Sequence, residues 1–166
     1  MNPSEQFPYC EICPIIENPK QQDIDFRIHE GKAWRVTLRE NQALLGTTFI
    51  TLKDHKEGLE QLPHEDDEEF KVIRNRLIGA VGVAFAPDGI NLSCLMNYAF
   101  RSNGNPNFIP QPHVHYHFKP RYSTPRTVAG ETFTDPEFAD YLKIGRGQRV
   151  VSDIGKVIVA RIRENF

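Results

Sequence analysis

Three of the six histidines stand at alternate positions in Gln111-Pro112-His113-Val114-His115-Tyr116-His117-Phe118-Lys119-Pro120. Successive side chains of a β-strand point to opposite faces, so His113, His115 and His117 share one face and Val114, Tyr116 and Phe118 the other. One face is chemical and the other apolar. A half-buried strand whose outer face is merely polar would more usually carry Lys, Thr or Glu. Two chemistries suit such a row. Neutral imidazole ligates metals, and a His-x-His pair on a strand can hold one ion. Imidazole is also a nucleophile: attack on phosphorus gives a phosphoramidate that water then cleaves, so one hard displacement becomes two easier ones. Neighbouring histidines would then set the nucleophile's tautomer and protonate the leaving oxygen.

A second cluster of reactive types lies in Tyr9-Cys10-Glu11-Ile12-Cys13-Pro14. A Cys-x-x-Cys alone is a weak signal. A redox pair belongs in the strand-to-helix turn of a βαβ unit, and the flanking Pro, Asn and Gln residues offer none. A zinc site would need two further ligands, for which His55 and His113 are the candidates. The third reading is a pair of thiols retained without a metal.

These residues sit in a chain of 166 residues, 39% hydrophobic, long enough for one domain with a real core. The net charge of −2 and pI near 6.3 suggest neither a nucleic-acid groove nor a surface for anionic membranes. No apolar run reaches the roughly 18 residues of a membrane span. The N-terminus, Met-Asn-Pro-Ser-Glu-Gln-Phe-Pro, lacks the basic and apolar regions of a signal peptide. Three cysteines, an odd number, fit a reducing compartment, so a cytoplasmic location is expected.

The elements that must position the reactive groups are legible in part. Phe26, Ile28, Trp34, Val36 and Leu38 alternate around Glu30-Gly31-Lys32, which predicts a hairpin over 23–37. Leu44 to Leu52 continues as a third strand rich in β-branched residues, with Gly46 opening it. Trp34 is expected in the core. Gly58 to Leu62 suits a short turn. Pro63-His64-Glu65-Asp66-Asp67 opens a long helix, with acidic residues where the macrodipole favours them, and His64 is expected on its surface. Phe70, Ile73, Leu77, Ala80, Val81 and Ala84 give that helix its apolar stripe up to Ala86-Pro87-Asp88-Gly89.

Ile90 to Asn97 reads as a strand leading to the site, with Cys94 a small buried hydrophobe. The Gly-, Asn- and Pro-rich stretch 98–110 reads as a substrate-facing lid. Asp135-Pro136 opens a short capped helix, and Val150, Val151, Ile154, Val157, Ile158 and Ile162 predict a C-terminal helix within 148–163.

The order His113-Val114-His115-Tyr116-His117-Phe118, followed by Pro120-Arg121-Tyr122, resembles the signature of the histidine triad (HIT) superfamily of nucleotide hydrolases and transferases. The resemblance covers about residues 10 to 125. It implies an α+β fold with an antiparallel sheet of about five strands, helices on one face and nucleotidyl chemistry on the other. The domain would span 1–125, and 126–166 would form a C-terminal extension whose helix packs on it. By the same resemblance Cys10, Cys13, His55 and His113 would hold structural zinc. His115 would be the nucleophile, with His117 and His113 as its catalytic neighbours. Asn97 would contact the substrate phosphate, and Gln111 and Arg121 would be nucleotide-binding residues, Arg121 on a phosphate.

Many relatives carry an Asp or Asn for the ribose hydroxyls where this chain has Leu38-Arg39-Glu40-Asn41-Gln42. The sugar contact then falls to Glu40 or Asn41, or is missing. A base pocket is expected from Phe26 and Ile28. The function expected is hydrolysis of a nucleotide ester, anhydride or phosphoramidate, such as a diadenosine polyphosphate or adenosine phosphoramidate. The alternatives are nucleotidyl transfer to phosphate or a sugar phosphate, non-catalytic nucleotide sensing, and hydrolysis by a catalytic metal on His113 and His115. A small-molecule nucleotide partner and a homodimer are expected, with no nucleic acid and no membrane.

Overall fold

The computed structural model of the protein describes residues 2–141 and 152–166. Three short N-terminal helices, α1 (Pro3–Gln6), α2 (Cys13–Glu17) and α3 (Gln21–Asp25), precede strands β1 (Arg27–Glu30), β2 (Trp34–Leu38) and β3 (Thr48–Leu52). A long helix α4 (His64–Phe85) leads to β4 (Gly89–Ser93) and β5 (His115–Arg121). A hairpin of β6 (Arg126–Val128) and β7 (Glu131–Phe133) and the helix α5 (Ser152–Arg163) follow. The main sheet has five strands in the order β1-β2-β3-β5-β4, each antiparallel to its neighbour. The architecture is the α+β arrangement expected.

Alternation sets the two faces. In β2 and β3 every second residue is buried, so Trp34, Val36, Leu38, Ile50 and Leu52 point into one core. The helical stripe of α4 joins the same core: Phe70, Ile73, Leu77, Ala80, Val81 and Phe85 are all buried. Trp34 is fully buried, and its indole N–H donates to the carbonyl of Asp66 at 2.7 Å, which satisfies its one polar group. Glu69 accepts the N–H groups of Lys32 and Ala33 from the β1–β2 turn. A Cβ at Gly31 would lie 2.2 Å from that carboxylate, so a larger residue there would displace the Glu69 side chain from the turn. The helix ends at Ala86, which adopts the left-handed conformation and caps back to Gly82.

Several local expectations shift. Residues 23–25 belong to α3, not to the first strand, and Phe26 is the helix C-cap. Strand β3 starts at Thr48, because 44–47 form a turn in which Gly46 has φ +80° and the Thr47 hydroxyl donates to Leu44. Strand β4 stops at Ser93, and Cys94 is half-buried. Residues 135–140 are turns and not a capped helix. Arg121 donates to the carbonyls of Glu137 and Asp140, and Asp135 receives Arg121 instead of capping a helix. The 126–133 hairpin carries no strand pattern that the sequence makes legible. Residues 148–151 of the expected C-terminal helix lie outside the described residues, and the helix is observed from Ser152.

Residues beyond 125 share the main core. Val128, Phe133, Ile158, Val159 and Ile162 are buried with the sheet and α4. The contact is close at Gly155, where an added Cβ would stand 2.2 Å from the Phe26 ring. Phe26 and Ile28 are thus core residues, 2% and 6% exposed, and do not line a base pocket. Among the described residues no helix is long and apolar enough to cross a membrane.

Candidate active site and metal centre

The face of the sheet opposite α4 is built rung by rung. Thr51 pairs with His115, and Phe49 pairs with His117, which also faces Ser93 of β4. Thr37 of β2 completes the Phe49 rung. The His115 and His117 rings are 5.0 Å apart, and both meet Phe49 edge-on, at 5.7 and 4.9 Å. The partner residues Tyr116 and Phe118 point the other way. Tyr116 stacks on Phe70 of α4 at 4.2 Å, and Phe118 is fully buried. The alternation of the sequence therefore separates chemistry from core along β5.

His113 departs from the simple row. It precedes β5, is 3% exposed, and turns its ring into the cysteine cluster. Its Nδ1 lies 3.5 Å from both Cys10 Sγ and Cys13 Sγ. Its Nε2 is 2.8 Å from the carbonyl of Leu52. A carbonyl only accepts, so Nε2 carries the proton and Nδ1 offers a lone pair to the cluster.

His55 Nδ1 lies 3.3 Å from Cys13 Sγ, and its ring is stacked on Phe7 at 3.6 Å. The ligand atoms of Cys10, Cys13, His55 and His113 all lie within 4.8 Å of one another, so these four residues form a group able to hold one metal ion. The Cys13 N–H donates to Cys10 Sγ at 3.4 Å, which orients that sulfur. Burial and the adjacent Cys10 push the Cys13 thiol up to about 12. A cation in the cluster would supply the charge that two buried thiolates need.

The same tautomer logic applies to His115. Its Nδ1 lies 2.8 Å from the carbonyl oxygen of His113, so Nδ1 bears hydrogen and Nε2 is left as a free base. Burial lowers the pKa of His115. Burial also takes His117 down to about 4, helped by His115, Lys119 and Arg39, and His113 to about 4 as well. His115 Nε2 is thus available as a nucleophile at neutral pH. The His117 Nδ1 is buried, and among the described residues it has no hydrogen-bond partner.

The other expected site residues are placed less directly. Asn97 is exposed and opens a 3-10 turn (97–100) beyond the end of β4. Gln111 uses its amide oxygen to accept the Tyr9 N–H at 2.7 Å, which fastens the metal loop next to Cys10. Arg121 is engaged within the protein: it is buried, its Nε is 2.6 Å from Asp135, and further donors reach Asp135, Glu137 and Asp140, so four of its roughly five N–H donors are turned to the protein.

The 98–110 stretch lines a cavity of about 320 Å³ with Tyr9 and Glu11, where Arg101 stacks on Tyr98 and Phe108 meets Tyr9 edge-on. Arg39 stands in the 38–42 stretch, where the sequence assigns it no role of its own. Its backbone N–H continues the β2–β3 pairing to Thr47, and its guanidinium lies over Phe49.

No family model matches the sequence, and no curated protein matches it. Solved structures do. A hypothetical histidine triad nucleotide-binding protein from Sulfolobus tokodaii is 18% identical, with a TM-score of 0.63 over 94% of this chain and 91% of that one. A zinc-bound histidine triad family protein from Mycobacterium smegmatis is 20% identical, with a TM-score of 0.56 over 93% and 94% of the two chains. A histidine triad protein from Sinorhizobium meliloti is 15% identical, with a TM-score of 0.63 over 85% and 89%. At such identities the likeness is one of backbone. The chain has the fold of the histidine triad proteins, and its own three histidines stand at and just before the start of β5 in that fold.

Proposed function

We propose that the protein is a nucleotidyl hydrolase acting on a nucleotide ester, anhydride or phosphoramidate, of which a diadenosine polyphosphate and adenosine phosphoramidate are examples. The observation that carries this reading is the 2.8 Å contact of His115 Nδ1 with the His113 carbonyl, which leaves Nε2 free to attack. In the first step Nε2 displaces the leaving group from the α-phosphorus, forming a P–N bond as the P–O or P–N bond to that group breaks. His117, the next residue on the same face, donates the proton that the leaving atom needs. A bound phosphate anion raises the proton affinity of His117, which in the free protein is held low. Water then attacks the nucleotidyl-histidine, releasing a nucleoside monophosphate and restoring the imidazole. Asn97 opens the turn four residues beyond the end of β4, and its amide would hold a phosphate oxygen.

We infer that the metal is zinc and its role structural. Two thiolates and two imidazoles are a closed tetrahedral donor set. With Zn–S near ~2.3 Å and Zn–N near ~2.0–2.1 Å, adjacent S and N ligands of a tetrahedron are about 3.5 Å apart. The observed S···N separations of 3.3 to 3.5 Å fit that spacing. When bound, the ion would neutralise the thiolates and hold the N-terminal segment on the triad strand. The His113 ring would stay fixed, and with it the carbonyl that orients His115.

The homodimer and the cytoplasmic location belong to the same proposal. The test is incubation with a panel of labelled adenine and guanine nucleotides, with and without phosphate, followed by a quench in alkaline denaturant, in which the P–N bond survives. Turnover to the monophosphate, with a trapped nucleotidyl-protein absent from His115→Ala, is expected. Absence of turnover and of any trapped species across the panel would overturn the reading.

A further inference from the structure

We propose that Arg39 and Lys119 form a second anion subsite beside the triad, which takes a phosphate of the ligand other than the one His115 attacks. The placement follows from the strand register. Leu38 pairs with Thr48, and Thr48 pairs with Phe118. The next rung is therefore Arg39, Thr47 and Lys119, and the Arg39 N–H donates to the Thr47 carbonyl at 3.0 Å to close it. Alternation puts the Arg39 and Lys119 side chains on the face that carries Phe49, His117 and His115. Lys119 is four residues from His115, about 13 Å along an extended strand, and its long side chain can lean back toward His117.

These cations stand close enough for the charge of Arg39 to be felt at Lys119. Among the described residues neither makes an ion pair with a carboxylate. The contact of the Arg39 guanidinium is the Phe49 ring, 5.3 Å to its centroid, which leaves its in-plane donors available. Both residues are half-buried. Lys119 is held below its ordinary value by burial, then by the charges of Arg39 and Arg121, and the Arg39 and Lys119 charges are both felt at His117.

Like charges gathered in a partly dry place are unfavourable until an anion joins them. Arg121, the cation that the sequence offered for a phosphate, is closed off by Asp135. Lys119, two residues earlier on the same strand, is not. A planar guanidinium and an ammonium on one rung suit the oxygens of a phosphate group.

The ligand class that follows is one with a second phosphate several ångströms from the reacting phosphorus. It can be carried on the polyphosphate chain or on the sugar. The inference rests on the nucleotide reading for the identity of the first phosphate, but the subsite itself can be tested without a nucleotide. Calorimetry on the full chain would compare adenosine 5′-monophosphate with adenosine 5′-diphosphate and adenosine 3′,5′-bisphosphate. Inorganic pyrophosphate would be the probe that lacks a nucleoside. Each would be titrated into the native protein and into Arg39→Gln, Lys119→Met and the double variant.

The second phosphate is expected to tighten binding at least about tenfold, with a steeper salt dependence, and the double variant to lose that gain while keeping monophosphate affinity. The diphosphate and 3′,5′-bisphosphate arms report which position fills the subsite. Pyrophosphate binding that needs Arg39 and Lys119, with no nucleotide bound, would uphold the subsite and overturn the nucleotide reading. No gain from a second phosphate, a gain retained in the double variant, or no binding of any probe would overturn the subsite. Thermal unfolding of each variant separates loss of the subsite from loss of the fold. Arg39→Lys, which keeps the charge, should restore part of the gain.

Discussion

The imidazole of His115 donates from Nδ1 to the backbone carbonyl of His113 at 2.8 Å, and the ring of His113 is in turn fixed between Leu52 and the two cysteines. The residue that orients the proposed nucleophile is therefore itself a proposed metal ligand. Disturbing the cysteine cluster should reach the triad through one backbone carbonyl.

Removing the nucleophile should abolish turnover and spare the fold. His115→Ala is expected to lower kcat by more than about 10³-fold, with nucleotide affinity changed little. His117→Ala should cost about 10²–10⁴-fold, the usual worth of a positioned proton donor. Both are measured by steady-state kinetics beside a thermal melt. Near-native rates in His115→Ala would exclude it as the nucleophile.

Metal removal should act on stability before chemistry. Elemental analysis is expected to find one zinc per chain, and Cys13→Ser or chelation to lose it. A loss of about 3 kcal/mol would lower Tm by about 6–12 °C in a domain of this size. A melt unchanged by chelator, with no metal found, would leave Cys10 and Cys13 as plain buried thiols.

The metal-free protein should weaken as the pH falls below neutrality. Burial takes His113 from its ordinary 6.5 to about 4. Between those values the unfolded chain binds a proton at this site that the folded chain does not, so acidification favours unfolding. Stability is complete above 6.5 and declines toward 4. From pH 7 to pH 5 the contribution of His113 is about 2 kcal/mol. Carboxylates, ordinarily near 4, stay ionised over most of that window. Denaturant titrations at the two pH values give the difference, and His113→Asn should remove that part of it.

Arg121 and Asp135 should prove structural. Their side chains are 8% and 1% exposed, so Asp135→Ala leaves a buried guanidinium without its partner and is expected to cost about 3–5 kcal/mol. Arg121→Met with Asp135→Leu should recover much of that loss. The activity of the folded fraction should remain. A selective rise in KM for nucleotide in Arg121→Met, at native stability, would return Arg121 to the phosphate.

Helix α5 should be sensitive at its closest contact. Gly155→Ala pushes a methyl into the Phe26 ring and is expected to destabilise by about 1–3 kcal/mol, read by denaturant unfolding. An unchanged midpoint would mean that α5 docks less tightly than the structure shows.

The strand-period pattern of 113–118 determined by itself that imidazoles and core residues would part company, because alternation is a property of the extended backbone and needs no partner. The hairpin around Gly31 and the stripe of α4 were legible for the same reason: each is a local period with a strong apolar signal. What the sequence could not show was where each polar group ends. His113 was already a ligand candidate beside Cys10 and Cys13, 103 and 100 residues away in the chain, but strand alternation alone does not show its ring leaving the row to face them. Arg121 was captured by Asp135, which replaced a capped helix with a buried ion pair. Phe26 and Ile28 went to the core, under the Gly155 backbone in the case of Phe26, instead of lining a pocket. Arg39 and Lys119 became neighbours only because three strands align their rungs. Each of these depends on which distant group arrives first within hydrogen-bond or van der Waals reach, and that is decided by the packing of the whole sheet and its helices.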